Sequence, residues 1–439
     1  MSPGTDLHEE VLRVARDLIR IDTTNGNETE AAAYLRDYLA AAGVEAEVVA
    51  RDPARGNLVA RLPGTGEAPS LAFVGHLDVV PADPQDWTHP PFEAVVEDGW
   101  LFGRGAVDMK DEVAARCVAF AELARSGFRP RGDLWLVMVA DEEDGAADVG
   151  MRWLLEHRPD LRPDLAVNEG GGQRLELADG RVLLMLSVGE KGTQPVRLTA
   201  LGEAGHASMP TLGDNAVVRL GELLRRIGPG LATPGRSPLL DATHEVLLEE
   251  PATSVEDGLR RATPLHPTFA DGLPPLAGTT MAPTLLAGST ARNVMPARAS
   301  VELDCRILPG VEADDVLAAV RTRLGDDLTE GVDYELSLPE PLVPGSASAP
   351  DGALPAAIAA WLAETDPGTG VLPVLCTGYT DSSFLRAAGD TAAYGFSPFR
   401  ATPTEVLDEG VHNADERIHV DDLLLSVEFH LDLARRLLG

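Results

Sequence analysis

The sequence predicts an α/β protein whose central, mostly parallel sheet is interrupted by an inserted two-layer α+β domain. Three observations carry this. Short apolar runs of four to seven residues alternate with helix-period segments over the first 170 residues, the pattern of βαβ units around a buried sheet. From Pro195 the texture changes, and after Leu342 the α/β pattern resumes. The chain therefore divides into a discontinuous domain, 1–193 with 343–439, and an inserted domain, 194–342.

Taken in order, residues 6–20 set Leu7, Val11, Val14 and Leu18 on one helical stripe, and 28–42 repeat the pattern through Ala31, Leu35, Tyr38 and Leu39 until Gly43. Strands follow at 57–61, 71–75, 134–140 and 165–168, separated by helices at 110–126 and 148–157. In the insertion, 196–200 reads as a strand and 215–227 as an amphipathic helix. Residues 228–280 are rich in Pro, Gly and Thr with little periodicity, an expected loose insertion. Strands at 284–287 and 299–307, a helix at 313–324 and a strand at 333–338 complete a small sandwich. The last part holds a helix at 353–364, a strand at 373–376 and a closing helix at 421–438.

Composition narrows the function. There are 36 basic and 70 acidic residues, a net charge of −34, and only two lysines, Lys110 and Lys191. Such a surface repels phosphate backbones and anionic lipid, which argues against nucleic-acid and membrane partners. Cys117, Cys305 and Cys376 are far apart and form no CxxC pair, so neither a disulfide framework nor a thiolate metal site is indicated. The first residues, Met1 to Asp6, lack the basic and apolar regions of an export signal, and no run reaches the ~18 apolar residues of a membrane span. A cytoplasmic location is expected.

Chemistry-bearing residues cluster just after the apolar strands, where loops of an open α/β sheet face the crevice. His76 and Asp78 in GHLD (75–78) point to one side of a strand end; Asp78 can fix the imidazole tautomer while His76 offers its other nitrogen to a metal. The turn Gly103–Asp108 has two of the glycines of a dinucleotide loop. Asp108 replaces the third, however, and would put a carboxylate where a pyrophosphate must lie, so that reading fails. Asp141-Glu142-Glu143-Asp144 and Asn168-Glu169 follow two more strands, and His412 lies in 409–416. Singly, each has a bland reading, a capped core histidine or an exposed acidic turn. Together His76, Asp108, Glu143, Glu169 and His412 supply two imidazoles and three carboxylates, a set that suits two zinc-like ions with one carboxylate shared. Such ions sit about 3.5–4 Å apart around an activated hydroxide. Glu142, adjacent but left over, is the natural general base.

The ordered motifs GHLDVVP (75–81), WTHPPF (87–92), GRGAVDMK (103–110), DEEDG (141–145), NEG (168–170), GHAS (205–208), RNVMP (292–296), DCRILPG (304–310), GYTDSSFLR (378–386) and EGVHNADERI (409–418) resemble metallopeptidase family 20 over nearly the whole chain. This zinc-dependent group contains glutamate carboxypeptidases, aminoacylases and desuccinylases, and YGFSP (394–398) points to its carboxypeptidase S-like branch. The resemblance implies a zinc-exopeptidase-like catalytic domain with an inserted dimerisation, or lid, domain. It also implies two divalent ions per chain, most simply zinc, with cobalt or manganese as alternatives. Asp108 would bridge them, His76 and Glu169 would complete one site, and Glu143 and His412 the other. It further implies a cis Asp108–Met109 bond, Glu142 as general base, His206 steadying the oxyanion in the active site of a homodimer partner, and Asn293 and Arg306 holding a substrate carboxylate.

The expected activity is hydrolysis of an amide next to a free carboxylate in a peptide or N-acyl amino acid, as carboxypeptidase, dipeptidase or aminoacylase. A deacetylase or desuccinylase of a biosynthetic intermediate would use the same site. A non-catalytic peptide-binding descendant would have lost ligands or base, and all are present. A serine hydrolase is disfavoured because the chain has no GxSxG elbow. His89, His157, His244, His266, His419 and His430 take structural readings, and His8 is expected in a mobile terminus.

Overall fold

The structure, a computed structural model, describes residues 6–24, 26–145, 147–228, 231–234 and 237–439. The first five residues, on which part of the location argument rests, lie outside them. The chain forms two compact units, 1–189 with 348–374 and 380–439, and 190–347 with 375–379.

The first unit opens with helices α1 (Leu7–Arg20) and α2 (Glu28–Ala41). Asp6 caps α1 by accepting from the His8 amide, and Val11, Val14 and Leu18 are buried along the predicted stripe. Strands β1 (Ala46–Asp52), β2 (Arg55–Leu62) and β3 (Leu71–His76) follow, then α3 (Lys110–Arg125), β4 (Leu134–Val139), α4 (Met151–His157), β5 (Leu165–Asn168) and β6 (Val182–Glu190). The sheet runs β1-β2-β4-β3-β5, then the late strand Ala392–Gly395, then β6. Its central pairs, β4 with β3, β3 with β5 and β5 with 392–395, are parallel, and those flanking them are antiparallel. Both β3 and β4 are buried along their whole length, which explains why they read as continuous apolar runs rather than alternating ones. The expected fold class is borne out. The antiparallel β1 was not among the predicted strands: three of its seven residues are half-buried and four are exposed, and its sequence AEVVARD carries no strict alternation.

In the second unit, β7 (Val196–Leu201), β8 (Gly205–His206) and α5 (Ala216–Ile227) are followed by three helices, α6 (Pro238–Leu247), α7 (Val255–Ala262) and α8 (Phe269–Leu276). Here the expectation of a loose 228–280 region is corrected. The helices are eight to ten residues long, too short to register as periodicity. Their starts were nonetheless written in the sequence: Ser237 before Pro238 accepts from the Leu240 amide, and Ser254 accepts from that of Asp257. Strands β9 (Gly278–Ala287), β10 (Val294–Met295) and β11 (Arg298–Ile307), helix α9 (Ala313–Leu324) and strand β12 (Tyr334–Ser337) complete the unit. Strands β9, β11, β7 and β12 form an antiparallel sheet in that order. Its inner face packs Leu198, Val301, Leu303 and Ile307 against Leu220, Leu223, Val316 and Val320 of α5 and α9, the two-layer arrangement expected of it.

Candidate metal centre

Because β4, β3 and β5 are adjacent and parallel, their carboxyl ends open at the same edge of the sheet, and the first residues of the following loops become neighbours. His76 ends β3, Glu143 follows β4, and Glu169 follows β5. Asp108 stands just before α3, and the Asp108–Met109 bond is cis as expected. His412 lies in the turn after the helix Thr404–Gly410, in the left-handed conformation at φ 61°.

These five side chains form two groups that share Asp108. His76 Nε2 lies 3.0 Å from Asp108 Oδ1 and 3.5 Å from Glu169 Oε2. His412 Nε2 lies 3.2 Å from Asp108 Oδ2 and 3.1 Å from Glu143 Oε2. Within each group the candidate ligand atoms are all within 4.8 Å of one another. One oxygen of Asp108 thus faces each imidazole, the disposition a shared carboxylate needs. Two further oxygens, Glu143 Oε1 and Glu169 Oε1, are buried without a hydrogen-bond partner among the described residues. An orphaned buried carboxylate oxygen is costly, and a cation would satisfy it. The residues fit a pair of hard or borderline divalent ions bound through N and O.

The electrostatics agree. Burial, joined by the charge of Glu169, pushes the Glu142 and Asp381 carboxyls well above the usual carboxylate range, and burial pushes Glu143 up to about 7. Burial works against a charged His76, but the carboxylates of Glu169 and Asp108 outweigh it and hold its pKa well above that of a free imidazole. Without cations, protons must neutralise this crowd of carboxylates.

Asp78 stands differently from expectation. The group 2.9 Å from His76 Nδ1 is the Asp78 backbone carbonyl, whereas the carboxylate is 3.6 Å away. The carbonyl accepts the imidazole proton and so sets the tautomer. The carboxylate instead accepts from the amides of Glu142 at 3.3 Å and Glu143 at 3.1 Å. It holds the turn that carries the candidate base and one candidate ligand. Asp141 supports the far side of that turn, accepting from the amides of Ala147 and Val149 and from Arg55.

The remaining predicted residues lie in the second unit. His206 on β8 is exposed, and its Nδ1 meets Ser208 Oγ at 2.8 Å. The β8–β10 ladder brings Asn293 beside it, the Ala207 amide donating to the Asn293 carbonyl at 3.0 Å. The guanidinium of Arg306 forks onto Asp304, two residues away on β11, at 2.8 and 3.1 Å.

Three buried polar residues of the first unit were not singled out from sequence. Arg116, fully buried on α3, donates to Glu112 and to the carbonyls of Val74 and Asn168, and its Nε donates to His430 Nε2 at 3.1 Å. It therefore braces the ends of the two strands that lead to His76 and Glu169. Asp381 and Glu416 sit inside the quoted motifs GYTDSSFLR and EGVHNADERI, but nothing in their immediate neighbours marked them as buried.

The family model for peptidase family M20/M25/M40 matches residues 72–436. The probable succinyl-diaminopimelate desuccinylase of Staphylococcus epidermidis is 37% identical over 211 residues, and this match spans about half of each protein, 48% of both. The succinyl-diaminopimelate desuccinylase of Parvibaculum lavamentivorans is 32% identical over 432 residues, covering 94% of this chain and 91% of that one. Among solved structures, the M20 family metallo-carboxypeptidase Sso-CP2 from Sulfolobus solfataricus superposes with a TM-score of 0.70 at 18% identity, over 98% of this chain and 99% of that chain.

Proposed function

From the premise that the chain belongs to peptidase family M20/M25/M40, we propose that it is a dinuclear metal hydrolase cleaving an amide bond next to a free carboxylate. The observation that carries this is Asp108, with one oxygen turned to His76 and the other to His412 beside two buried carboxylate oxygens that lack partners. His76, Asp108 and Glu169 would hold one ion, and Asp108, Glu143 and His412 the other. Zinc is the proposed metal, since the donors are imidazole and carboxylate without thiolate. When bound, the ions would polarise the scissile carbonyl and acidify the attacking water.

The chain's own residues do the rest. Glu142, held by the Asp78 carboxylate through its backbone, takes the proton of the attacking water and returns it to the leaving amine. This is a general-base contribution of typically about 10²–10⁴ in rate. Burial and the charge of Glu169 raise its pKa well above the usual carboxylate range, the direction that makes a carboxylate a stronger base. His206 steadies the oxyanion, and Asn293 and Arg306 bind the substrate carboxylate. For Arg306 this requires an anion that competes with Asp304 for the same fork.

His206 is proposed to act across a homodimer. In support, the second half of β9 exposes Leu285 and Leu286 at 66% and 68%, and α5 exposes Val217 and Val218 at 47% and 71%. A Cβ added at Gly288, just past β9, would lie 3.4 Å from Val217, which sets the end of β9 beside the start of α5, and grouped exposed apolar residues mark interaction surfaces. Among the described residues no helix is long and apolar enough to cross a membrane. A cytoplasmic location is proposed on the composition and on the free thiols of the buried Cys117 and Cys305.

A second reading has specific support. Both sequence relatives named above are desuccinylases, so an N-succinyl amino acid is as much a proposed substrate as a dipeptide. The test is a hydrolysis panel of dipeptides and of N-acetyl, N-succinyl and long-chain N-acyl amino acids, with metal analysis of the same sample. Turnover of one class with two ions per chain is expected. No turnover of any carboxylate-bearing amide by the two-metal protein would overturn the proposal.

A further inference from the structure

The turn Gly103–Asp108 resembles a phosphate-cradling loop in sequence, and its backbone behaves like one. The amides of Gly105, Val107 and Asp108 converge on a single carboxylate, that of Glu416. Its Oε2 accepts from Gly105 N at 3.0 Å and Arg104 Nη1 at 2.6 Å, and its Oε1 from Val107 N at 2.7 Å and Asp108 N at 3.0 Å. Gly105 has φ +88°, and a Cβ there would press on the Lys110 side chain and Val79 at 3.0–3.1 Å. A glycine is what lets the turn close over this anion. Glu416 is completely buried, and the anion the loop wants is supplied from within the chain.

Glu416 lies four residues after His412, and its four donors lie within the five residues that end at Asp108. One carboxylate therefore ties the segment carrying a one-group residue, His412, to the loop carrying the residue common to both groups. We propose that Glu416 is a positioning residue for the metal pair: it fixes the direction of the Asp108 backbone so that each carboxylate oxygen serves a different ion, and it sets His412 against that pair. This rests on the dinuclear reading above.

The role is separable from mere docking of the C-terminal segment. Asp415 is independently held by the Thr88 amide at 2.7 Å and the Thr88 hydroxyl at 2.8 Å. The strand Arg417–His419 pairs with Trp100–Phe102. With these anchors in place, losing the Glu416 carboxylate unseats residues 105–108 rather than the segment. A glutamine cannot substitute, because its single oxygen can serve only part of four donors and its NH₂ group would face the others.

The experiment titrates metal-free wild type, Glu416→Gln and Asp415→Asn with Zn²⁺ by calorimetry and with Co²⁺ by its visible absorption, and measures kcat and KM. Wild type and Asp415→Asn are expected to take two ions with the same affinity. Glu416→Gln should lose about 10–100-fold in affinity, the size seen when a partner supporting metal ligands is removed, with an altered Co²⁺ spectrum and a fall in kcat rather than a rise in KM. A folded Glu416→Gln protein with wild-type affinity and spectrum would overturn the proposal, as would an equal loss in Asp415→Asn. Should Glu416→Gln fail to fold, Glu416→Asp, which keeps the charge but shortens the reach, is judged by the same outcomes. A wild-type chain that binds no pair of ions overturns the dinuclear reading itself, which keeps the two failures distinct.

Discussion

Replacing Asp78 by asparagine separates two roles that the sequence left merged. The carboxylate is 3% exposed and accepts from two backbone amides, those of Glu142 and Glu143, while its own carbonyl serves His76. Asparagine keeps one acceptor and turns an NH₂ group toward the other amide. One charge-assisted bond is lost, the remaining one becomes neutral, and one donor is left unsatisfied in a buried site. Together these cost about 2–4 kcal/mol. For a unit of this size that lowers Tm of the metal-free protein by several degrees, about 3–7 °C. The turn carrying Glu142 and Glu143 then loosens, and kcat should fall about 10–100-fold while the His76 tautomer, fixed by a carbonyl the mutation leaves in place, is unaffected. Urea unfolding of the metal-free protein, Zn²⁺ titration and steady-state kinetics read the three effects. Unchanged metal-free stability together with weaker binding at one ion alone would refute the reasoning, because it would mean that the carboxylate acts on the imidazole.

Glu142→Gln is expected to retain two ions and lose about 10²–10⁴ in kcat; metal analysis with kinetics decides, and unchanged turnover would rule out its role as base. Mixing inactive His206→Ala chains with inactive Glu142→Ala chains should restore part of the activity if the histidine acts across a dimer, and no recovery after proven subunit exchange would count against it. Arg116→Met leaves Glu112 and the carbonyls of Val74 and Asn168 without their donor and should cost about 3–5 kcal/mol in urea unfolding; a near-neutral result would show that these carbonyls find other partners. Lys191 is buried, donates to the carbonyls of Pro275 and Gly278, and has its pKa lowered from 10.5 to about 8 by burial and then by the charge of Arg306. Between pH 8 and 10.5 the unfolded chain keeps a proton that the folded one has released, so stability rises with pH across that window by up to about 3 kcal/mol. Lys191→Met should flatten the rise, and equal slopes in the two proteins would refute it.

How much of this was legible in the sequence depended on whether a signal was local. The buried strands 71–76 and 134–139 announced themselves as apolar runs, and the residues at or just beyond their ends, His76, Glu142 and Glu143, could be nominated because parallel strands end at one edge. The division of labour within Asp78 was not legible: type and spacing cannot say whether the carboxylate or the carbonyl of one residue meets an imidazole. Nor could sequence show that Arg306 shares its fork with Asp304, although the i,i+2 spacing on a strand allowed it. Glu416 and Asp381 were hidden for another reason. A carboxylate buried by residues 300 positions away looks, in its own segment, like any of the other acidic residues of a strongly acidic chain. The helices of 237–276 are too short for apolar periodicity to show, and only two of them, those that begin at Ser237 and Ser254, carry a serine cap.

The sequence distances within the centre bear on how it is made. Asp108 and Glu416 bond across 308 residues, and Thr88 and Asp415 across 327. Contacts of such separation carry a high closure entropy and form late. During synthesis, the Gly103–Asp108 turn is made long before Glu416, so its amides meet the carboxylate they converge on in the finished fold only when nearly the whole chain has emerged.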